Sequence, residues 1–348
     1  MARPDTDKRR VQMMDIARLA GVSASTVSRA LNGSQLINPE TRQRIVALAR
    51  SMNYSINASA KNLRLGYNRT IAVVIPYDRN TRQHISDPFF LSMLGALADA
   101  LTERGHDLLL SRVDAERLTD LAEICDTGRA GAVAVIGQWG QHAQLNALAE
   151  REVPFVVWGA QLPRQRYCTV GTDNVRGGRL ATEHLLSLGR TRIAFMGDIT
   201  MPEAAQRHEG HVAALRDAGL SPDPALHIVT SFNGGEETQA AMRQFLAQGR
   251  PIDGLFAASD LIAMNAMSVL LSLGHRVPED VSVVGYDDID AAAHWHPPLT
   301  TIRQPLGEAG VAMVDCLLQA VKGEHPASRL LDTTLVVRGS TAALAATP

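Results

Sequence analysis

Three cysteines, Cys125, Cys168 and Cys316, are all that the 348 residues contain. They stand far apart without CxxC spacing, which excludes a disulfide framework and a zinc ribbon and leaves reduced, buried thiols as the expectation. No run of eighteen apolar residues occurs, so no membrane-spanning helix is expected. The opening "MARPDTDKRRVQMMDIA" carries positive charge but no apolar stretch or cleavage site behind it, and a cytoplasmic protein is expected. GxGxxG, GxxxxGK[ST] and GxSxG are absent and no acid/base pair is recognisable, which argues against an enzyme. "HWHPP" at 294–298 offers two histidines with no third ligand, and "RHEGH" lacks the zincin spacing, so neither metal nor cofactor is expected.

What is present is a chain long enough for two or three domains, 45% hydrophobic, with its charge unevenly spread. Residues 1–69 hold twelve Lys or Arg against four Asp or Glu, whereas the remaining 279 hold 22 against 32. A small basic module on a larger acidic body suits a head that binds a polyanion and a body that stays off it.

The basic part has helical periodicity. Ile16, Leu19 and Ala20 space as one apolar face, Gly21 supplies a left-handed turn, and Ser23 caps a second helix that points Val27 and Leu31 inward. Asn38 and Pro39 start a third helix with Ile45, Leu48, Ala49 and Met52 on its apolar side. The second helix turns Ser25, Ser28, Arg29 and Asn32 outward, at i, i+3, i+4 and i+7. Such a row fits the major groove, where arginine meets guanine and hydroxyls meet base edges or phosphates. Leu63, between Lys61 and Arg64 in a short polar segment, has the character of a minor-groove wedge.

The stretch "MDIARLAGVSASTVSRALNGSQLINPETRQRIVALARSMNYSINASAKNLRLG" resembles the DNA-binding head and hinge helix of the lac-repressor and purine-repressor (LacI-type) family. The resemblance implies that Ala24, Ser25 and Arg29 read bases, that Thr26 and Ser28 lie beside phosphates, and that Leu63 is the hinge leucine. It also implies a homodimer on a near-palindromic double-stranded DNA operator.

Beyond "GYNRT" the pattern changes. "IAVVIP", "DLLL", "AVAVI", "PFVV", "RIAFM", "GLFAA" and "VSVVG" are short apolar runs separated by helical segments, the signature of parallel sheets buried on both faces. About 270 residues of this exceed one doubly wound core, so two α/β lobes are expected. Ligands of such sheets bind beyond the carboxyl ends of the strands. "DPFFLSM", "GQWGQH", "WGAQ", "GD", "SD" and "GYDD" follow there, aromatics with amides and carboxylates, suited to stacking on sugar rings and bonding their hydroxyls. Gln138 and Trp158 are chosen on this strand-end logic.

The same set resembles the family's periplasmic-binding-protein-like (type I) effector domain. By that resemblance Phe89 and Phe90 line the first lobe, Arg207 clamps hydroxyls and Asp287 accepts from them. Ser259, Asp260 and Gln304 take lip and crossover positions, and Phe232 falls near a family aromatic. The organisation expected is an all-α helix-turn-helix head at 1–56, hinge helix and linker at 57–69, a two-lobed α/β regulatory domain at 70–340 and a tail at 341–348. The first lobe takes about 70–171 and 305–332, the second about 172–304 and 333–340. The ending "GSTAALAATP" lacks the apolar heptads of a tetramerising tail, which favours a dimer. The function expected is a transcriptional repressor of carbohydrate-utilisation genes switched by a small sugar, a glucoside or other short oligosaccharide. A nucleobase-responsive, corepressed regulator is the first alternative and a solute-binding transport protein the second.

Overall fold

A computed structural model of the chain describes residues 11–31, 34–52, 54, 68–78, 85–232 and 235–344. Two compact units make it up, residues 1–67 and 68–348.

The first unit has three helices, α1 (Met13–Ala20), α2 (Ala24–Leu31) and α3 (Pro39–Ser51). A reciprocal capping box between Gln12 and Asp15 starts α1, and Gly21, at φ 67°, ends it in the left-handed conformation a side chain would resist. Ser23 Oγ accepts from Thr26 N–H at 3.2 Å to start α2. Asn38 Oδ1 accepts from Glu40 N–H at 2.9 Å, with Pro39 as the first helical residue of α3. Ile16, Ala17, Ala20, Val27, Ala30, Ile45 and Ala49 form the core. One expectation is overturned here: Leu19 is 59% exposed and Ala17 takes its place inside. On a wheel of 100° per residue, Leu19 lies roughly 100° from the centre of the stripe through Ile16, Ala17 and Ala20, too far to reach a core this small.

The second unit begins β1 (Thr70–Val74), α4 (Pro88–Glu103), β2 (Asp107–Ser111), α5 (Leu121–Asp126), β3 (Ala132–Ile136), α6 (His142–Glu150), β4 (Phe155–Trp158) and β5 (Cys168–Thr172). It continues α7 (Asn174–Ser187), β6 (Ile193–Met196), α8 (Pro202–Asp217), β7 (His227–Ile228), α9 (Gly235–Ala247), β8 (Gly254–Ala257) and α10 (Asp260–Ser272). β9 (Ser282–Asp287), α11 (Asp290–His294), β10 (Thr300–Arg303), α12 (Leu306–Val321), β11 (Arg329–Leu331) and β12 (Thr334–Val336) complete it.

The strands form two six-stranded sheets, in the orders β11-β5-β4-β3-β1-β2 and β12-β10-β9-β8-β6-β7. Every pairing is parallel except that of β10 with β12. The apolar runs of β3, β4, β8 and β9 are buried throughout, as strands covered on both faces must be. The chain passes between the sheets three times: after β5, after β10, and between β11 and β12. In the second lobe Arg190, fully buried, donates to the carbonyls of Pro278, Glu279, Asp280 and Ala342 at 2.8–3.3 Å. That guanidinium fastens the loop before β9 and the segment near the chain's end to the turn after α7.

Candidate functional sites

In the first unit α2 buries Val27 and Ala30 and leaves Ser25 and Arg29 exposed, with Ala24, Thr26 and Ser28 half-buried. Ser23 Oγ lies 2.8 Å from both Ser25 Oγ and Thr26 Oγ1, so these hydroxyls are held in place at the helix start. Arg29 extends from the last turn of α2. Asn32, Lys61, Leu63 and Arg64 lie outside the described residues.

In the second unit the carboxyl ends of the two sheets face a cleft of about 780 Å³, part of it open to solvent. The first lobe contributes Asp87, Phe89 and Phe90 at the start of α4, Ile136, Gly137, Gln138 and Trp139 after β3, and Trp158 at the end of β4. The second contributes Met201, Glu203 and Arg207 from the start of α8, Phe232 after β7, Ser259 and Leu261 at the start of α10, and Asp287 and Ile289 from the end of β9.

The aromatic wall belongs mainly to the first lobe. Phe89 stands edge-on to Phe90 with ring centres 5.8 Å apart, lies 6.4 Å from Trp158, and packs on the cores of both lobes. Asp87 Oδ1 accepts from Phe89 N–H at 2.9 Å, and burial pushes that carboxyl above its usual range. Trp139 is held at φ 52°, unusual for a bulky residue, and its Nε1 donates to Ile136 O at 3.2 Å. The Gln138 amide is already consumed. Its Nε2 donates to Ala160 O at 2.8 Å and Tyr167 OH at 3.0 Å, and its Oε1 accepts from Ala160 N–H at 3.1 Å.

The polar wall belongs mainly to the second lobe. Arg207 donates from Nε to Asn174 Oδ1 at 2.9 Å and from Nη1 to Ala258 O at 2.5 Å, with its guanidinium 3.7 Å from the centre of the Tyr286 ring. Its position depends on how closely α8 approaches α7: a Cβ on Gly210 would fall 1.9 Å from Val175 O. Glu203, one turn before Arg207, is pushed up by burial, opposed by the arginine and by the N–H groups of Gln138 and Ala160 on the other lobe.

Asp287 sits at φ 119° and Asp288 at φ 58°. Burial pushes the Asp287 carboxyl up to about 7, with Arg207 opposing and Asp87 reinforcing the rise. Asp288 is tied to Arg303 at 2.6 Å and Arg338 at 2.5 Å. Asp260 accepts from Ile289 N–H at 2.9 Å and Thr301 Oγ1 at 2.5 Å, and burial followed by Asp287 holds its carboxyl well above the usual range. Ser259 Oγ caps α10 through Ile262 N–H at 3.2 Å.

Of the residues selected from sequence, Phe89, Phe90, Gln138, Trp158, Arg207, Phe232, Ser259 and Asp287 thus line one cleft, and Asp260 and Gln304 stand behind its wall as supports of the Asp287 loop. Asp87, Trp139 and Glu203 also line it and were not selected. Glu203 carried a usable signal, its i, i+4 spacing from Arg207. Asp87 precedes Pro88 as a helix cap does, which masks its second role. Among the described residues no helix is long and apolar enough to cross a membrane, and no group of three or more His, Cys, Asp or Glu is placed to hold a metal ion.

Comparison with known proteins gives concordant findings. Residues 12–57 match the family of bacterial regulatory proteins, lacI family, and residues 182–341 match the periplasmic binding protein-like domain. The chain is 34% identical over 342 residues to the HTH-type transcriptional regulator CelR of Thermobifida fusca, covering 96% of this chain and 99% of that one. A solved transcriptional regulator CelR–cellobiose complex aligns at 32% identity and a TM-score of 0.70, over 95% of this chain and all of that one. The lac repressor dimer bound to operator and an anti-inducer aligns at 26% identity and a TM-score of 0.83, over 96% of this chain and all of that one.

Proposed function

The chain belongs to the LacI family of bacterial regulatory proteins, and from that premise we propose that it is a transcriptional repressor of carbohydrate-utilisation genes whose operator affinity is switched by a small sugar. The repressor works in the cytoplasm as a homodimer on a near-palindromic operator, because one head offers too few contacts for tight specific binding. Catalysis has no part in this reading. Ala24, Ser25 and Arg29 read bases, Thr26 and Ser28 meet phosphates, Asn32 extends that row, and Lys61, Leu63 and Arg64 serve the hinge in the minor groove.

One observation carries the sugar assignment. The cleft brings the aromatic side chains Phe89, Trp139 and Trp158 of the first lobe and Phe232 of the second together with the hydroxyl-bonding groups Arg207, Glu203 and Asp287, the combination that pyranose rings require. A β-linked glucose disaccharide is the first candidate, in keeping with the cellobiose held by the CelR relative. The lobes have two relative arrangements, and the sugar shifts them by its differential affinity. Thermal-shift and calorimetric titration against cellobiose, other disaccharides and purine bases tests this, with operator gel shifts in parallel. Stabilisation by a disaccharide together with altered operator affinity is the expected result; stabilisation by a purine alone transfers the protein to the nucleobase-responsive class.

A further inference from the structure

Carboxyls outnumber cations among the described residues that line the cleft: Asp87 enters it from the first lobe and Glu203 and Asp287 from the second, while Arg207 is the one cation among those described residues. Asp260 adds a carboxyl immediately behind, which burial and then the Asp287 carboxyl push up. Arg207 is also partly committed: two of its nitrogens are bonded to Asn174 and Ala258, and Tyr286 lies against its face.

Nor can these carboxyls swing away. Glu203 stands on the first turn of α8, and one turn later Gln206 Nε2 donates to Gln161 O of the opposite lobe at 2.9 Å. The start of α8 is thereby fastened across the cleft. Asp87 is equally fixed, because it caps α4. Carboxyl oxygens held this way accept hydrogen bonds from neutral hydroxyls, whereas an incoming anion meets carboxyls on both lobes and, in Arg207, a guanidinium already engaged.

We propose that Glu203 and Asp87 are the charge filter of this cleft, so that its ligand is an uncharged, hydroxyl-rich sugar and the same sugar bearing a phosphate or carboxylate is excluded. This rests on the sugar reading above and adds a chemical class to it. The phosphorylated products that many sugar-uptake reactions yield are thereby ignored; the protein senses the sugar before it has been phosphorylated.

The test titrates full-length protein by calorimetry with cellobiose against cellobiose 6′-phosphate and cellobionate, and with glucose against glucose 6-phosphate. The acidic member of each pair is expected to bind weaker by on the order of a hundredfold or more. Glu203→Gln keeps the size and an acceptor oxygen without the charge, and Asp87→Asn keeps a competent cap. Each is expected to narrow the ratio by raising affinity for the acidic sugar more than for the neutral one. A purely structural role would weaken both sugars alike and leave the ratio unchanged in both variants, which overturns the assignment. Should the phosphorylated sugar bind wild type as tightly as the neutral one, the filter is wrong while the sugar reading stands. Should no sugar of either kind bind while a purine does, both fall together. If Glu203→Gln melts early, Asp87→Asn alone decides the matter.

Discussion

Gln304 donates from Nε2 to Asp287 Oδ1 at 2.7 Å, and its Oε1 accepts from Thr172 Oγ1 at 2.8 Å. Thr172 ends β5 of the first sheet and Gln304 follows β10 of the second, so one amide joins two of the crossings to a carboxyl that lines the cleft. Gln304→Leu leaves Asp287 without this donor and Thr172 without this acceptor. We expect a loss of about 1–3 kcal/mol in denaturant unfolding, weaker sugar binding, and operator affinity near wild type in the absence of sugar. Calorimetry beside gel shifts separates these effects.

Asp287 also predicts a pH dependence. Its carboxyl is pushed up to about 7 from an ordinary 3.8, so above pH 4 the unfolded chain releases a proton that the folded protein keeps. The residue therefore costs stability increasingly as pH rises from about 4 to about 7, and the cost is constant above that. Asp287→Asn should raise stability by a few kcal/mol at most at about pH 8, and by little at about pH 4. Sugar hydroxyls that donate to Asp287 favour its carboxylate, so wild-type affinity should rise between about pH 6 and 8 with proton release on binding. Calorimetry in buffers of different ionisation enthalpy detects the proton; equal heats in both refute the contact.

Gly210→Ala tests the positioning of Arg207. The new methyl group falls on Val175 O, α8 must move off α7, and the arginine one turn earlier moves with it. A cost of about 1–3 kcal/mol in stability is expected, accompanied by loss of the sugar response. A variant that melts lower yet responds normally shows that Arg207 tolerates the shift.

Arg29→Ala addresses the head. On the order of 1–3 kcal/mol per half-site should be lost, with relaxed preference at one base pair. Selection of binding sites from randomised DNA reads this directly, and an unchanged consensus would show that α2 is not the reader.

A histidine cluster predicts acid sensitivity in the second lobe. His208, His211 and His227 surround Phe195 with ring centres 5.0, 5.8 and 5.8 Å away. Burial, then His208 and His227, hold His211 down to about 3. The unfolded chain takes up a proton below about pH 6.5 that the folded protein refuses, so stability falls from there towards about pH 3. His211→Asn should flatten this slope in unfolding curves taken between about pH 4 and 7.

Much of this was legible in sequence for a simple reason: parallel strands buried on both faces must be apolar runs, and their carboxyl ends must carry the ligand groups. β1, β3, β4, β6, β8 and β9 announce themselves so, and with them Trp158, Ser259 and Asp287. β5, "CTVGT", and β10, "TTIR", do not, because their buried threonines are satisfied by hydrogen bonds that only the folded chain supplies. Depth is likewise invisible in a string. Asp260 and Asp287 look alike there, yet one faces the cleft and the other holds its loop. In "GQWGQ" the left-handed backbone at Trp139 turns the indole to the cleft, while the Gln138 amide is taken by Ala160. Leu19 failed by a similar margin, a fraction of a helical turn on a helix of eight residues.

The threefold passage of the chain between the sheets also governs how such a protein can be recombined. The first unit ends at residue 67, before the first strand of the sheets begins, so a different operator preference can be installed through a single splice. A different second lobe cannot: it is made of two separate stretches, and replacing it requires joints near Thr172, Gln304 and Asp332 at once, each inside or beside a hydrogen-bonded strand. Natural shuffling and laboratory chimeras should therefore exchange heads freely and alter ligand preference by substitution within the cleft.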